Sequence, residues 1–304
     1  MAKNRVLSSP RLDELRRKRK KLFWRKVFIF GFLFILIFVG LVYGAKNKKI
    51  NIVNIEVSGN KIIDTEIIKN IAIKEMSGKY LYFFPKTNFL LYPNRGIKNT
   101  LGSEYRRLKN ISIKLKNPTT ILISVDEREA KYTWCGGDMQ GSTANDNDIK
   151  CYFLDASGFI FDEAPYFSQD VYVRFYGKDG VNLDNPIGSQ FAMNIFSKLA
   201  IFEDSIEKMN LRPKAFFLGN EGDIKMFLPK KETMTHIPEV IFKANADFEK
   251  VAENLQSALT TEPLQSEFRN KYNSLLYIDL RFDNKVYYKF SIQDASSVPT
   301  SVGN

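Results

Sequence analysis

A stretch of nineteen uncharged residues, Val27–Ala45, constrains this chain more than any other feature of its sequence. As an α-helix it would extend about 29 Å, close to the roughly 30 Å hydrocarbon thickness of a bilayer. Trp24 and Tyr43 flank it at positions where aromatic rings favour the head-group region. The stretch is longer than the apolar segment of a signal peptide, and no small-residue cleavage pattern follows it. We therefore expect residues 27–45 to be a retained transmembrane helix.

Positive charge is concentrated before this span. Residues 1–26 contain eleven Lys or Arg and two acidic residues, a net charge of +9 out of +11 for the chain. The positive-inside rule predicts that residues 1–26 form a basic cytoplasmic tail that contacts anionic lipid, with the rest of the chain outside the cytoplasm. Because the remaining residues carry only +2, a nucleic-acid-binding domain is not expected.

Residues 50–128 have the pattern of a small α+β domain. A β-rich segment, Ile50–Val57, ends at a Ser-Gly-Asn turn, and Asp64 is a candidate N-cap for a helix that follows. A second short helix is expected around Ile97–Leu101. Two alternating strands joined at Asn117-Pro118 then complete the order β-α-α-β-β.

Residues 129–292 are predicted to be rich in strands and to contain two helices. The expected helices are Gln190–Ile206 and a segment around Phe248–Leu259. Strands are expected at Cys151–Asp155, Phe159–Phe161, Val171–Tyr176, Ala215–Leu218, Ile224–Leu228 and Val240–Phe242. A final hairpin, Leu275–Phe282 and Lys285–Ile292, turns at Asp283-Asn284. Residues 293–304 are rich in Ser, Pro and Gly and are expected to be disordered.

Several short motifs resemble the bacterial cell-division family FtsQ/DivIB. In the first domain they are Ile55-x-Val57-x-Gly59-Asn60 and Asn117-Pro118-Thr119-Thr120-Ile121-x-Ile123-x-Val125. Further along they are Glu127-Arg128-x-Ala130-x-x-x-Trp134, Leu154-Asp155-x-x-Gly158-x-x-Phe161 and Tyr277-x-Asp279-Leu280-Arg281. Glu129 departs from the family, which commonly has proline there. The likeness extends over residues 25–292, and the motifs occur in the family's order.

The resemblance implies a fold, a role and partners. The fold would be α+β: one transmembrane helix, a POTRA domain at residues 50–128 and a mostly antiparallel β domain at residues 129–292. The role would be that of a non-catalytic scaffold of the septum-forming machinery in the inner membrane. Its partners would be single-span coiled-coil proteins of the FtsB and FtsL type and septal wall synthases, with no cofactor, small-molecule substrate or nucleic acid.

The same resemblance places the partner contact on the last strands of the β domain. By motif the contact residues are Arg281, Phe282, Asn284, Val286 and Tyr288. An exposed edge strand there could accept a strand from another chain. The alternative from the residues alone is that Tyr287, Tyr288 and Phe290 are ordinary sheet residues with one face buried. Asp279 and Arg281 are interpreted as a solvated or fold-supporting pair rather than a catalytic one.

Cys135 and Cys151 are the two cysteines, and the predicted topology places both outside the cytoplasm. A disulfide between them is one interpretation; two free thiols, or half of a zinc site, are the others. The single histidine, His236, is expected in a surface loop, and no metal site is predicted.

Catalytic motifs are not evident. The sequence has no H-E-x-x-H, no G-x-S-x-G and no glycine-rich phosphate loop, so no enzymatic activity is expected. Two other functions stay open at this point: a membrane-anchored cell-wall hydrolase and a POTRA-containing export component.

Overall fold

The computed structural model describes residues 10–139, 149–167, 171–231, 234, 236–282 and 285–291, with side chains from residue 17 onward. The chain divides into two compact units, Met1–Glu127 and Arg128–Asn304. The fold is α+β, as predicted, with a body made mostly of sheet. The tail predicted to be disordered, residues 293–304, lies outside the described residues.

Helix α1 (Pro10–Ala45) is one continuous helix of 36 residues. Its segment Arg17–Ala45 is long and apolar enough to cross a membrane, and it is the one helix in the described part of the chain that is. The prediction of one candidate membrane-spanning helix near the N-terminus is therefore confirmed. The helix begins well before residue 27, so it also includes much of the basic tail.

The rest of the first unit packs two helices against a three-stranded sheet. The sheet order is β1-β5-β4, with β1 parallel to β5 and β4 antiparallel to it. A short hairpin, β2–β3, precedes the second helix and was not predicted. The elements are β1 (Asn54–Ser58), α2 (Thr65–Glu75), β2 (Lys79–Tyr80), β3 (Phe84–Pro85), α3 (Asn94–Glu104), β4 (Leu108–Asn117) and β5 (Thr120–Glu127).

Local chemistry explains where these elements begin and end. The Asp64 side chain accepts a hydrogen bond from the Glu66 N–H at 3.0 Å, so the predicted N-cap of α2 is confirmed. The first strand begins at Asn54 rather than Ile50, because Lys48–Ile50 forms a 3-10 turn capped by Asn47. Alternate apolar residues of β4 and β5, including Ile121 and Ile123, are buried beneath α2 and α3.

Glu127, at the end of β5, closes the turn that follows β1. Its buried carboxylate accepts hydrogen bonds from the backbone N–H groups of Lys61, Ile62 and Ile63 at 2.8 to 3.0 Å. Burial alone would raise the pKa of Glu127, but these three donors outweigh burial and hold the pKa below its ordinary value of 4.5. The Glu of the Glu-Arg motif therefore ties the end of β5 to the turn that follows its neighbour β1.

Glu127→Gln is expected to lower the free energy of unfolding of the first unit by about 1 to 3 kcal/mol, since the charge-assisted hydrogen bonds weaken. Because folding lowers this pKa, the stabilisation is complete above pH 4.5 and is lost as pH falls through the folded value. Amide exchange of α2 and β5 should thus differ between wild type and variant at neutral pH and converge in acid. Asp126→Asn, on an exposed neighbour, is the control and should show no such difference.

The second unit contains a nine-stranded sheet in the order β14-β13-β12-β11-β10-β9-β6-β7-β8. Five of the eight pairings are antiparallel; β6–β9, β9–β10 and β12–β13 are parallel. Its strands are β6 (Tyr132–Trp134), β7 (Cys151–Leu154), β8 (Ile160–Ala164), β9 (Arg174–Tyr176), β10 (Ala215–Leu218), β11 (Asp223–Phe227), β12 (Glu239–Lys243), β13 (Leu275–Phe282) and β14 (Lys285–Phe290).

The described part of this unit has three helices rather than two: α4 (Phe196–Lys208), α5 (Phe248–Thr260) and α6 (Leu264–Asn270). The prediction for α5 is confirmed within one residue. The helix predicted at Gln190–Ile206 begins six residues late, because the preceding segment bonds to the β7–β8 turn instead. There the Phe191 N–H donates to the Gly158 carbonyl at 2.9 Å. Helix α6 is too short to show a clear helical period.

The Leu154-Asp155-x-x-Gly158 motif forms the β7–β8 turn. Asp155 accepts hydrogen bonds from the N–H groups of Ser157 and Phe159 and forms an ion pair with Arg128. Gly158 has φ +84°, and a Cβ there would lie 2.6 Å from the Phe196 ring. The turn therefore requires glycine, both for its backbone conformation and for the close packing of α4.

Candidate partner-binding edge

Strand β14 is at one end of the nine-stranded sheet, with β13 as its one neighbour in the sheet as described. The opposite end, β8, differs, because residues 188–190 lie against it. The Ile160 N–H donates to the Ser189 carbonyl at 3.0 Å, and the Gly188 N–H donates to the Ile160 carbonyl at 2.8 Å. Of the two ends of this sheet, β14 is therefore the one better able to accept another strand.

The side chains of β14 alternate between two faces. Val286, Tyr288 and Phe290 pack against the core of the second unit. Lys285, Tyr287 and Lys289 point to solvent. The Tyr287 ring is 48% exposed and meets the 50% exposed Phe282 edge-on, with ring centroids 5.1 Å apart. The solvent face of the hairpin therefore carries an aromatic pair between two lysines.

The backbone N–H groups of β14 lie in the plane of the sheet and point alternately towards β13 and away from it. The Ser291 N–H donates to the Ser274 carbonyl at 2.7 Å, so it points towards β13. Regular alternation along the strand then directs the N–H groups of Val286, Tyr288 and Phe290 away from β13. The residues whose side chains face the core thus offer their backbone to an incoming strand.

Arg281 is held by two carboxylates. It forms ion pairs with Asp279 at 2.6 Å and with Asp223, the first residue of β11, at 2.7 Å. Burial would raise the pKa of Asp279, but the hydrogen bonds from Arg281 outweigh it and lower the pKa. The same hydrogen bonds raise the pKa of Arg281. Both groups stay charged, and Arg281 links β13 to β11 across β12, consistent with the interpretation of a fold-supporting pair.

The five residues singled out from the sequence therefore occupy different positions. Phe282 is exposed, Arg281 is engaged in ion pairs, and Val286 and Tyr288 offer backbone rather than side chain. Asn284 lies outside the described residues. The sequence predicts Tyr287 to be an ordinary sheet residue, yet in the structure it shares the exposed face with Phe282. Its position could have been found from the alternation, since core-facing Val286 and Tyr288 place Tyr287 outward.

Cys135 and Cys151 are joined by a disulfide, with the two Cα atoms 4.1 Å apart. It links the end of β6 to the start of β7 and closes a loop with a sequence separation of 16. Loops of this size gain roughly 3 kcal/mol of stability from a disulfide. The bond stabilises the part of the sheet that ends at β8, on the opposite side from β14.

Alkylation of the purified full chain without reductant is expected to leave both cysteines unlabelled, and intact mass spectrometry would show no added label. After reduction under denaturing conditions two labels should appear. Labelling of both thiols before reduction would contradict the disulfide in the protein as isolated.

Groups with catalytic potential are sparse in the described residues. No cluster of three or more His, Cys, Asp or Glu that could hold a metal ion occurs among them. Glu203 is buried on α4, and burial raises its pKa to about 7, aided by Glu207 and Asp204. Its carboxylate lies 3.3 Å from the Tyr132 hydroxyl, inside the core rather than in a cleft. His236 is half-buried, with Nε2 2.6 Å from the Leu275 carbonyl oxygen.

Comparison with other proteins does not assign a family. The chain matches no protein-family model and no curated protein sequence. The functional interpretation therefore depends on the geometry of β14 and on the motifs of the sequence.

Proposed function

We propose that this protein is a non-catalytic, membrane-anchored scaffold of the bacterial septum-forming machinery, of the FtsQ/DivIB type. The observation that carries the proposal is the edge strand β14, which ends the sheet of the second unit with no further strand beside it among the described residues. A strand from a partner would extend the sheet by main-chain hydrogen bonds and gain specificity from side chains.

The order of the elements supports the same role. A basic segment and an apolar helix come first, then an α+β unit, then a larger sheet. The first unit, with its β1-β5-β4 sheet and two helices, is proposed to be a POTRA domain. Its function would be to dock a second division protein, and α1 would keep both units at the outer surface of the inner membrane.

The chemistry of β14 restricts the partner strand. Lys285 and Lys289 flank the exposed Tyr287 on the solvent face, so acidic side chains opposite the lysines would be favoured. An aromatic or β-branched side chain would suit the position opposite Tyr287. A segment of a single-span coiled-coil protein of the FtsB or FtsL type is the proposed occupant.

Two observations in living cells test the proposal. A fluorescent fusion at the N-terminus is expected to form a mid-cell band in dividing cells, and co-purification from the membrane should recover other division proteins. A uniform peripheral signal would contradict the septal role. A reporter phosphatase that works only outside the cytoplasm, fused after Asn304, tests the orientation: a stable but inactive fusion would refute it.

A further inference from the structure

An apolar loop at residues 80–91, in the first unit, exposes more hydrophobic surface than a water-facing loop normally would. Leu81 is 77% exposed, Tyr82 91% and Leu90 76%. Leu81 and Tyr82 also have φ angles of +48° and +64°, which bulky residues rarely adopt. Several large, exposed apolar side chains in one loop commonly mark an interaction surface.

The apolar loop lies against the candidate membrane span. The rings of Phe83 and Phe84 meet the Phe38 ring edge-on, with centroids 5.8 and 5.9 Å apart. Between residues 17 and 45, the half-buried side chains are Phe38, Val42 and Ala45, and every other one is exposed. These three lie at positions i, i+4 and i+7, which form one face of a helix. One face of α1 is therefore covered near its C-terminal end.

The contact with Phe38 determines the depth of the loop relative to the hydrocarbon layer of the membrane. Phe38 lies seven residues before the end of α1 at Ala45, which is about 10 Å along the helix axis. Since residues 27–45 would fill the hydrocarbon layer, rings that touch Phe38 lie below the level at which the helix leaves it. The loop cannot keep this contact and also stay wholly in water.

Hydrogen bonds fix the loop to the segment that follows the span. The Ile52 N–H donates to the Thr87 carbonyl at 2.8 Å, and the Phe89 N–H donates to the Ile50 carbonyl at 3.1 Å. The Asn51 amide donates to the Ala45 carbonyl at 2.9 Å. The chain just after the span is thus tied to both the helix end and the loop, so the loop's position follows from that of the anchor.

We propose that the apolar loop inserts into the outer leaflet of the membrane that α1 spans, with lipid covering Leu81, Tyr82 and Leu90. The backbone of the loop would stay near the boundary of head groups and acyl chains, because irregular backbone is costly deeper in the hydrocarbon, while the Phe83 and Phe84 rings reach inward to Phe38. The hydroxyl of Tyr82 and the ammonium of nearby Lys86 suit that level. The inference rests on the membrane anchorage in the proposed function but not on a septal role.

Lipid quenching of a fluorescent probe tests the proposal on the full chain reconstituted into phosphatidylcholine–phosphatidylglycerol vesicles. The probe is attached to a new cysteine in Tyr82→Cys, with the Cys135–Cys151 disulfide left unreduced. Ile62→Cys is the matched control, since Ile62 is apolar, 71% exposed and in the turn that follows β1 rather than in the loop that contacts α1. Phe34→Cys, within the span, is the positive control.

The Tyr82 probe is expected to emit at shorter wavelength than the Ile62 probe and to lose most of its fluorescence to nitroxide lipids. A nitroxide near the head-group end of the acyl chain should quench it more than one near the chain terminus. A Tyr82 probe that behaves like the Ile62 probe, while the Phe34 probe is quenched, overturns the insertion and leaves the anchor intact. Blue-shifted but unquenched emission means that protein covers the loop, which also overturns it. If the Phe34 probe is not quenched either, α1 does not lie in the bilayer, and the membrane anchorage of the proposed function is refuted as well.

Discussion

Val286→Pro is expected to weaken binding of the proposed partner strand by at least about tenfold in Kd, which corresponds to about 1.4 kcal/mol. The N–H of Val286 points away from β13, so proline removes a donor that an added strand would use. The pyrrolidine ring also blocks close approach of that strand. Proline is tolerated on an edge strand where its missing N–H faces solvent, so the sheet itself should remain folded.

The matched control is Val286→Ile, which keeps the N–H and an apolar side chain towards the core. Binding is measured by co-purification and by titration of a labelled peptide from the recovered partner, with amide exchange of β13 as a check on folding. If Val286→Pro binds as tightly as Val286→Ile in a folded protein, strand addition at β14 is ruled out. Replacing both Phe282 and Tyr287 with Ala separately tests the exposed aromatic pair.

Gly59→Ala is expected to destabilise the first unit by about 3 kcal/mol or more, and so to accelerate amide exchange through unfolding about a hundredfold. Gly59 has φ +89°, and a Cβ there would lie 2.0 Å from the Val125 carbonyl oxygen. That oxygen belongs to the backbone of β5, the central strand, so it cannot move without disturbing the pairing of β1 and β4.

Gly78→Ala separates the two causes of this effect. Gly78 has nearly the same φ, +87°, but nothing lies within 4 Å of the position that a Cβ would take there. It should therefore show the conformational cost alone, about 1 kcal/mol. Amide exchange of α2, β4 and β5 in the full chain compares the two variants. Equal destabilisation of the two variants would mean that the clash between the new Cβ at residue 59 and the Val125 carbonyl oxygen is relieved by a small shift that costs little free energy.

Much of the fold followed from local patterns. The nineteen uncharged residues define the apolar part of α1, and Asp64 caps α2 where the sequence indicated. The strands around Asn117-Pro118 and the last strand, β14, follow the two-residue alternation of half-buried strands. These features depend on contacts within a few residues, or on solvent, and the sequence displays them directly.

Other features depended on distant partners. The segment before Phe196 has helical spacing, yet its backbone bonds to the β7–β8 turn, and that turn is some 30 residues away in sequence. The third helix, α6, has seven residues and too few apolar positions to show a period. The parallel neighbours of β9 and β12 come from separated parts of the chain, so no local pattern could assign them.

The candidate site shows the same division. Local patterns were enough to predict a hairpin at residues 275–292 and an apolar helix before the folded units, because strand-like composition and hydrophobic length are local properties. The edge position of β14, the ring contact between Tyr287 and Phe282, and the ion pair between Arg281 and Asp223 became evident only in the three-dimensional structure. Strand order and ion pairs join residues that are far apart in the chain. Their stability comes from contacts between distant segments, so the pattern of one segment cannot predict them.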